Sequence, residues 1–142
     1  MSQIIILAKV LLAAVLGGLL GWERKNIAEK AAGTKTHALV ALGSALFTLL
    51  SVYGFFGAIV DPTRIAAQIV VGIGFLGAGM IIVQKGEVRG LTTAADIWVA
   101  AAIGMTVAVG WYLVAIVITA VIFIFLLIAD KKKYKKSIKE VL

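Results

Sequence analysis

The stretch "VVGIGFLGAGMII" (residues 70–82) decides how the chain is read. It contains Gly72-x-Gly74-x-x-Gly77 after a β-branched run, and an acid, Asp96, follows about 20 residues on, as in a dinucleotide-binding turn. Such a turn needs a water-exposed loop between a strand and a helix. Here the glycines lie inside an unbroken apolar run, residues 69–83, where a diphosphate could not be solvated. The stretch therefore reads as part of a membrane helix, and Asp96 belongs to the start of the next one.

Composition agrees. The 142 residues are 62% hydrophobic and 15% charged, with mean hydropathy +1.08, whereas a soluble domain is about half apolar and a quarter charged. So few charges could not cover a soluble surface. No cysteine is present, and one histidine, His37. Disulfides, thiolate metal sites and a multi-histidine metal site within one subunit are excluded. No plausible nucleophile–base pair remains, so neither an enzyme nor a cofactor is expected. The net charge is +7, and six of the fourteen basic residues lie in "DKKKYKKSIKEVL" (residues 130–142). Directly after an apolar segment, that tail points to anionic lipid rather than nucleic acid.

A spanning helix needs roughly 20 mostly apolar residues. Five segments approach this: residues 3–22, 37–56, 64–83, 96–110 and 111–129, with a turn at Gly110-Trp111. Residues 96–129 are too long for one crossing. The expected fold is an all-α integral membrane bundle of five helices, followed by a basic tail at 130–142. Twelve basic residues fall in the 23–36 loop, the 84–95 loop and the tail, against Arg64 alone on the other side. This places the N-terminus outside and the C-terminus in the cytoplasm. The start, "MSQ", lacks the basic region of a signal peptide, so the first helix is expected to be retained. No second, soluble domain is expected.

Small residues at four-residue spacing let membrane helices approach closely. Gly17 and Gly21 in the first span and Gly104 in the fourth follow that spacing with alanines. In the third, Gly72 and Gly79 share one side, and Gly74 and Gly77 lie near the opposite side. A helix small on two faces is expected at the bundle centre, with local unwinding favoured by its glycines. The fifth span is bulky and is expected to face lipid. Asp61-Pro62 and Thr93-x-x-Asp96 resemble helix-start signals, and Thr34 or Thr36 is a candidate cap for the second helix.

Three ordered blocks carry a more specific likeness. "KVLLAAVLGGLLGWERK", "AGTKTHALVALGSALFTLLS", and "DPTRIAAQIVVGIGFLGAGMII" followed by "VRGLTTAADIWVAAAIGM" resemble the first four helices of the MgtC/SapB family. The chain departs from the family at Lys9 and Lys35, where arginine is usual, and at Asp96, where a small or neutral residue is common. Many members continue into a soluble C-terminal domain, whereas this chain ends in a lysine-rich tail. The resemblance implies an inner-membrane protein of a bacterium or archaeon, linked to growth at low magnesium and, in pathogens, to survival inside host cells. It also implies restraint of F-type ATP synthase, and membrane-potential or phosphate control. It carries over association with magnesium stress rather than transport as an established activity.

Charged groups at membrane depth are costly and mark candidate functional residues. The expected topology gathers Lys9, Asp61, Arg64 and Gln68 towards the outer side. It gathers Glu23, Arg24, Lys35, Thr36, His37, Thr92, Thr93 and Asp96 towards the cytoplasm. Were both sets to face the bundle centre, a polar path would run past the third-span glycines. Each residue also has a plainer reading. Lys9 can snorkel outward or pair with Asp61, and Asp61 can simply cap a helix. Arg64 can anchor the interface, and Gln68 can bridge helices. Glu23 and Arg24 can form an exposed helix end, His37 a hydrogen-bonded helix start, and Asp96 a capping acid. Magnesium prefers oxygen ligands, and Glu23 with Asp96 would suit it only if the helices bring them together. Two functions follow as expectations. One is a non-enzymatic regulator acting through helix contacts with a partner complex, self-associating as a homodimer. The other is a channel or transporter for magnesium, protons or a small solute such as phosphate. In the tail, Tyr134, Ile138 and Val141 recur at helical spacing, which fits a short amphipathic helix on the inner leaflet or a frayed, solvated end.

Overall fold

The computed structural model describes the backbone of residues 1–23, 32–55, 57, 61–84 and 86–141, and the side chains of residues 1–22, 32–55, 57, 61–84 and 86–128. Five helices run in order: α1 (Gln3–Glu23), α2 (Thr34–Tyr53), α3 (Arg64–Gly79), α4 (Leu91–Val109) and α5 (Tyr112–Val141). A short antiparallel hairpin, β1 (Ile82–Gln84) and β2 (Glu87–Arg89), joins α3 to α4, pairing Val83 with Val88. Three helices are long and apolar enough to cross a membrane: Gln3–Trp22, Thr34–Tyr53 and Leu91–Val109, among the described residues. Two shorter apolar helices, Arg64–Gly79 and Tyr112–Ile128, accompany them. The protein is an all-α membrane fold.

The hub is α1, α2 and α4, which make the most extensive helix contacts. Its centre is Ala41, which is fully buried. A Cβ placed on Gly17 of α1 would lie 2.5 Å from the Ala41 Cβ and 2.6 Å from the His37 carbonyl oxygen. One placed on Gly104 of α4 would strike the Ala41 carbonyl oxygen. On Gly21 it would lie 2.6 Å from the Thr34 Cα and 2.7 Å from the Gly33 oxygen. Three backbones thus meet where only glycine leaves room, which is how helices gain dispersion contacts when lipid removes the hydrophobic drive. Leu16, Leu20, Leu49, Ile103 and Val107 fill the space around this crossing.

The periphery departs from the sequence expectation in three ways. First, α3 leans on α4 and α2 at the edge and is not central. Gly77 approaches Ala94, but a Cβ on Gly72, Gly74 or Gly79 would meet nothing within 4 Å. Two small faces permit two neighbours; within one chain only one face is used. Second, α3 is an unbroken helix that stops at Gly79, and the last two residues of the expected span, Ile82 and Val83, belong to strand β1. The turn into α4 explains the stop. Gly90 has φ +89°, and any side chain there would strike the Met80 carbonyl. Third, the basic tail continues α5 as one helix to Val141. The helix starts differ too. The N-cap positions of α2 and α4 are Gly33 and Gly90, and neither makes a side-chain cap bond. Thr34 and Thr36 therefore lie within α2, and Thr93 and Asp96 within α4, rather than capping them.

Candidate functional site

Lys35, Arg89 and the lysine tail make one end of the bundle basic. At the opposite end, Lys9 is only 7% exposed. Its ammonium donates to the Ala108 carbonyl at 2.6 Å and lies 5.9 Å from the Tyr53 ring centre and 5.8 Å from that of Tyr112. Ala108 is in the last turn of α4, where carbonyls lack an intrahelical partner and the helix dipole is negative. Gly110, at φ +95°, then turns the chain into α5. Lys9 therefore caps one helix from another, and the two aromatic faces stabilise its charge. This is neither snorkelling nor a pair with Asp61.

Asp61 is exposed and local. Its Oδ1 accepts from the Thr63 amide at 2.8 Å and the Thr63 hydroxyl at 2.7 Å. These bonds hold its carboxyl below the usual carboxylate range, the Thr63 side-chain bond being the larger cause. The helix itself begins at Arg64 with Thr63 as its N-cap position, so Asp61-Pro62 forms the turn before the helix. Arg64 is exposed, and Gln68 is exposed along a groove between α2 and α3. The four residues expected on this side are not drawn into one cluster. Sequence reasoning missed Ser51, a buried hydroxyl that donates to the Pro62 carbonyl at 2.6 Å and accepts from the Ala66 amide at 3.3 Å. It fastens the end of α2 to the start of α3. A hydroxyl within an apolar run was the available signal, but Ser44 and Thr48 share it.

The basic end is organised around α2 and α4, which run parallel. Because Gly104 meets Ala41, residues eight positions earlier, Asp96 and Gly33, stand at the same level. The packing of Ala32 with Ile97 and Ala101 agrees. His37 is fully buried, and Thr93 and Asp96 nearly so. The His37 ring lies with Nδ1 2.9 Å from the Gly33 carbonyl oxygen. A carbonyl can only accept, so Nδ1 carries the proton and a neutral ring would present Nε2 as an acceptor. Thr36 is half-buried, while Lys35 and Thr92 are exposed. The Glu23 side chain and Arg24 lie outside the described residues. Among the described residues no group of three His, Cys, Asp or Glu side chains could hold a metal ion. Between the two ends, Gly72, Gly74 and Gly79 face outward rather than a central path.

A model of the MgtC family matches residues 10–134. YhiD of Escherichia coli strain K12, by its name a proposed magnesium transporter, is 50% identical over 110 residues, covering 73% of this chain and 51% of the relative. Protein MgtC of Salmonella typhimurium is 46% identical over 113 residues, 80% of this chain and 47% of its own. Protein MgtC of Brucella abortus is 48% identical over 98 residues, 69% and 40% respectively. The chain spans about half the length of the curated relatives it matches. No solved structure matches it. With the family match covering most of its length, and the same residues building the glycine-packed hub, the chain belongs to the MgtC family.

Proposed function

We propose that the chain is a non-enzymatic membrane protein of adaptation to low magnesium, acting by helix contacts on a partner complex such as F-type ATP synthase. The observation that carries this reading is the hub. Gly17, Gly104 and Ala41 bring three backbones so close that a Cβ on either glycine would strike Ala41, which leaves no room for an ion between the hub helices at that level, although His37, Ser44 and Thr48 are buried nearby on α2. The outward faces of α3 and α5 are instead broad and apolar, with Phe75 82% and Leu113 76% exposed. Those faces suit contact with other membrane helices. The reading includes five crossings in a bacterial or archaeal plasma membrane, an external N-terminus, a cytoplasmic lysine tail on anionic lipid, and self-association as a dimer. In pathogens the same adaptation would serve survival inside the host. The test is co-purification from cells starved of magnesium. Recovery of ATP synthase subunits is expected, reduced by Phe75→Ala. Failure to recover any partner membrane protein overturns it.

The second reading, an ion channel or transporter, is favoured by the name of the Escherichia coli relative and by the buried Asp96. Its test is flux of magnesium, protons or phosphate into liposomes, with loss in Asp96→Asn. The absence of all three fluxes would remove this reading.

A further inference from the structure

Two cavities at the basic end share a wall. One, of about 580 Å³, is lined by Trp22, Gly33, Thr34, Lys35 and Thr36. The other, of about 560 Å³, starts at the same Lys35 and Thr36 and runs between α2 and α3 as far as Phe47 and Ile65. From Lys35 to Phe47 is twelve residues of helix, about 18 Å. Half of a hydrocarbon core of about 30 Å is about 15 Å, so the groove is as long as one leaflet is deep. Its floor is open because Gly43 and Gly72 line it, and a Cβ on either would meet nothing within 4 Å.

We propose that this composite cavity binds one anionic phospholipid of the leaflet on the basic side, with its phosphate at Lys35 and the start of α2 and one acyl chain in the groove. Charge and shape both commit to that occupant. Lys35 supplies a cation at the mouth. The first N–H groups of α2 lack intrahelical acceptors and stand at the positive end of its dipole, and Gly33 makes no side-chain cap to them. Trp22, 62% exposed at the same mouth, suits the headgroup level. Beyond Thr36 the lining is mostly aliphatic, including Leu39, Ile69 and Leu76. The groove is thus cationic at its mouth, mostly aliphatic along its depth and as long as one leaflet, which is the shape and polarity of one phospholipid rather than of a uniformly apolar helix. The site is separate from the lysine tail and does not depend on which side of the membrane is cytoplasmic.

The experiment is native mass spectrometry of the full chain in neutral detergent, titrated with phosphatidylglycerol or phosphatidylcholine of the same acyl chains. The wild type should retain one phosphatidylglycerol about five-fold more strongly, the worth of one lysine near an anionic headgroup. Lys35→Gln should remove that preference at the tightest site, while Lys132→Gln in the tail should leave it. Gly43→Leu with Gly72→Leu should abolish retention of the tightest lipid. Because both positions face open space and leucine is the better helix former, helix content and resistance to unfolding should stay at or above wild-type values. Equal retention of both lipids, or undiminished retention when the groove is filled, overturns the proposal. Loss of a dimer without loss of lipid also overturns it, since the groove would then hold a second copy.

Discussion

Gly17→Ala probes the three-backbone crossing with the smallest possible change. The added methyl would lie 2.5 Å from the Ala41 Cβ and 2.6 Å from the His37 oxygen, where carbon contacts prefer about 3.5–4.0 Å. Helix α1 must retreat from α2 by about 1 Å, which forfeits roughly a quarter to a half of each dispersion contact across that seam. Overpacking of this kind costs about 1–3 kcal/mol. The upper end applies because a backbone carbonyl cannot rotate away as a side chain could. Alanine also gains about 1 kcal/mol over glycine as a helix former. The net expectation is about 2 kcal/mol of destabilisation. Gly72→Ala makes the same chemical change in open space and should stabilise by up to about 1 kcal/mol. Opposite signs from one substitution type isolate packing from propensity. The assay is reversible unfolding in mixed micelles, followed by the fluorescence of Trp22, Trp98 and Trp111. Adding Ala41→Gly to Gly17→Ala removes one of the two clashes, so the double-mutant cycle should show a favourable coupling of about 1 kcal/mol but not full rescue. Gly17→Ala as stable as the wild type, or Gly72→Ala equally damaging, would refute the argument.

Lys9→Met should loosen the α4–α5 turn, read as faster hydrogen exchange at the amides of Gly110 and Trp111, which bond to Val107 and Thr106. Tyr53→Phe keeps the ring face and should leave that exchange unchanged, whereas Tyr53→Leu should raise it. Ser51→Ala strips a buried acceptor from the Ala66 amide and a donor from Pro62, and should cost about 1–3 kcal/mol in the same unfolding assay. Asp61 has a depressed folded pKa, so its turn contributes fully above its unfolded pKa and is lost as pH falls through the folded value. An NMR titration should place its midpoint below that of an exposed aspartate, and Thr63→Val should raise it; an unchanged midpoint would show that the Thr63 hydroxyl bond is not the cause. Because the chain has no native cysteine, single cysteines at Ser2 and Gly86 allow labelling from either side without background. Opposite accessibility is expected, and labelling from the same side would overturn the five-crossing topology.

The architecture was legible where close packing has a one-dimensional signature. Gly17 and Gly21 stand at four-residue spacing with Ala13, and Gly104 with Ala100 and Ala108, and this periodicity places each set on a single helix face. The third helix shows where such reasoning stops. Gly72, Gly74 and Gly79 have the same composition as the hub glycines, yet they meet nothing, because spacing fixes a face and not the neighbour across it. The Lys9 site was legible as an anomaly, a cation in an apolar run. Its partners were not: the Ala108 carbonyl lies 99 positions away and is a backbone group that carries no residue signature. Thr93 and Asp96 fit the pattern of a capping box, but the left-handed turn at Gly90 starts the helix earlier and carries both side chains into the interior.

The lengths of the helices have a mechanical consequence. The hub helices carry apolar segments of 19 or 20 residues, whereas α3 has 16. At 1.5 Å per residue the hub is about 30 Å tall and its α3 flank only about 24 Å. The hairpin's exposed Ile82 and Val83 then meet the headgroup region rather than the acyl core. Beside α3 a bilayer of ordinary thickness must compress or the protein must tilt, at a modest cost for each ångström of mismatch. The protein thus turns one short side to its solvent, against which the bilayer is thinned. Its energy, and its choice of neighbours, will depend on how thick and how compliant the surrounding membrane is.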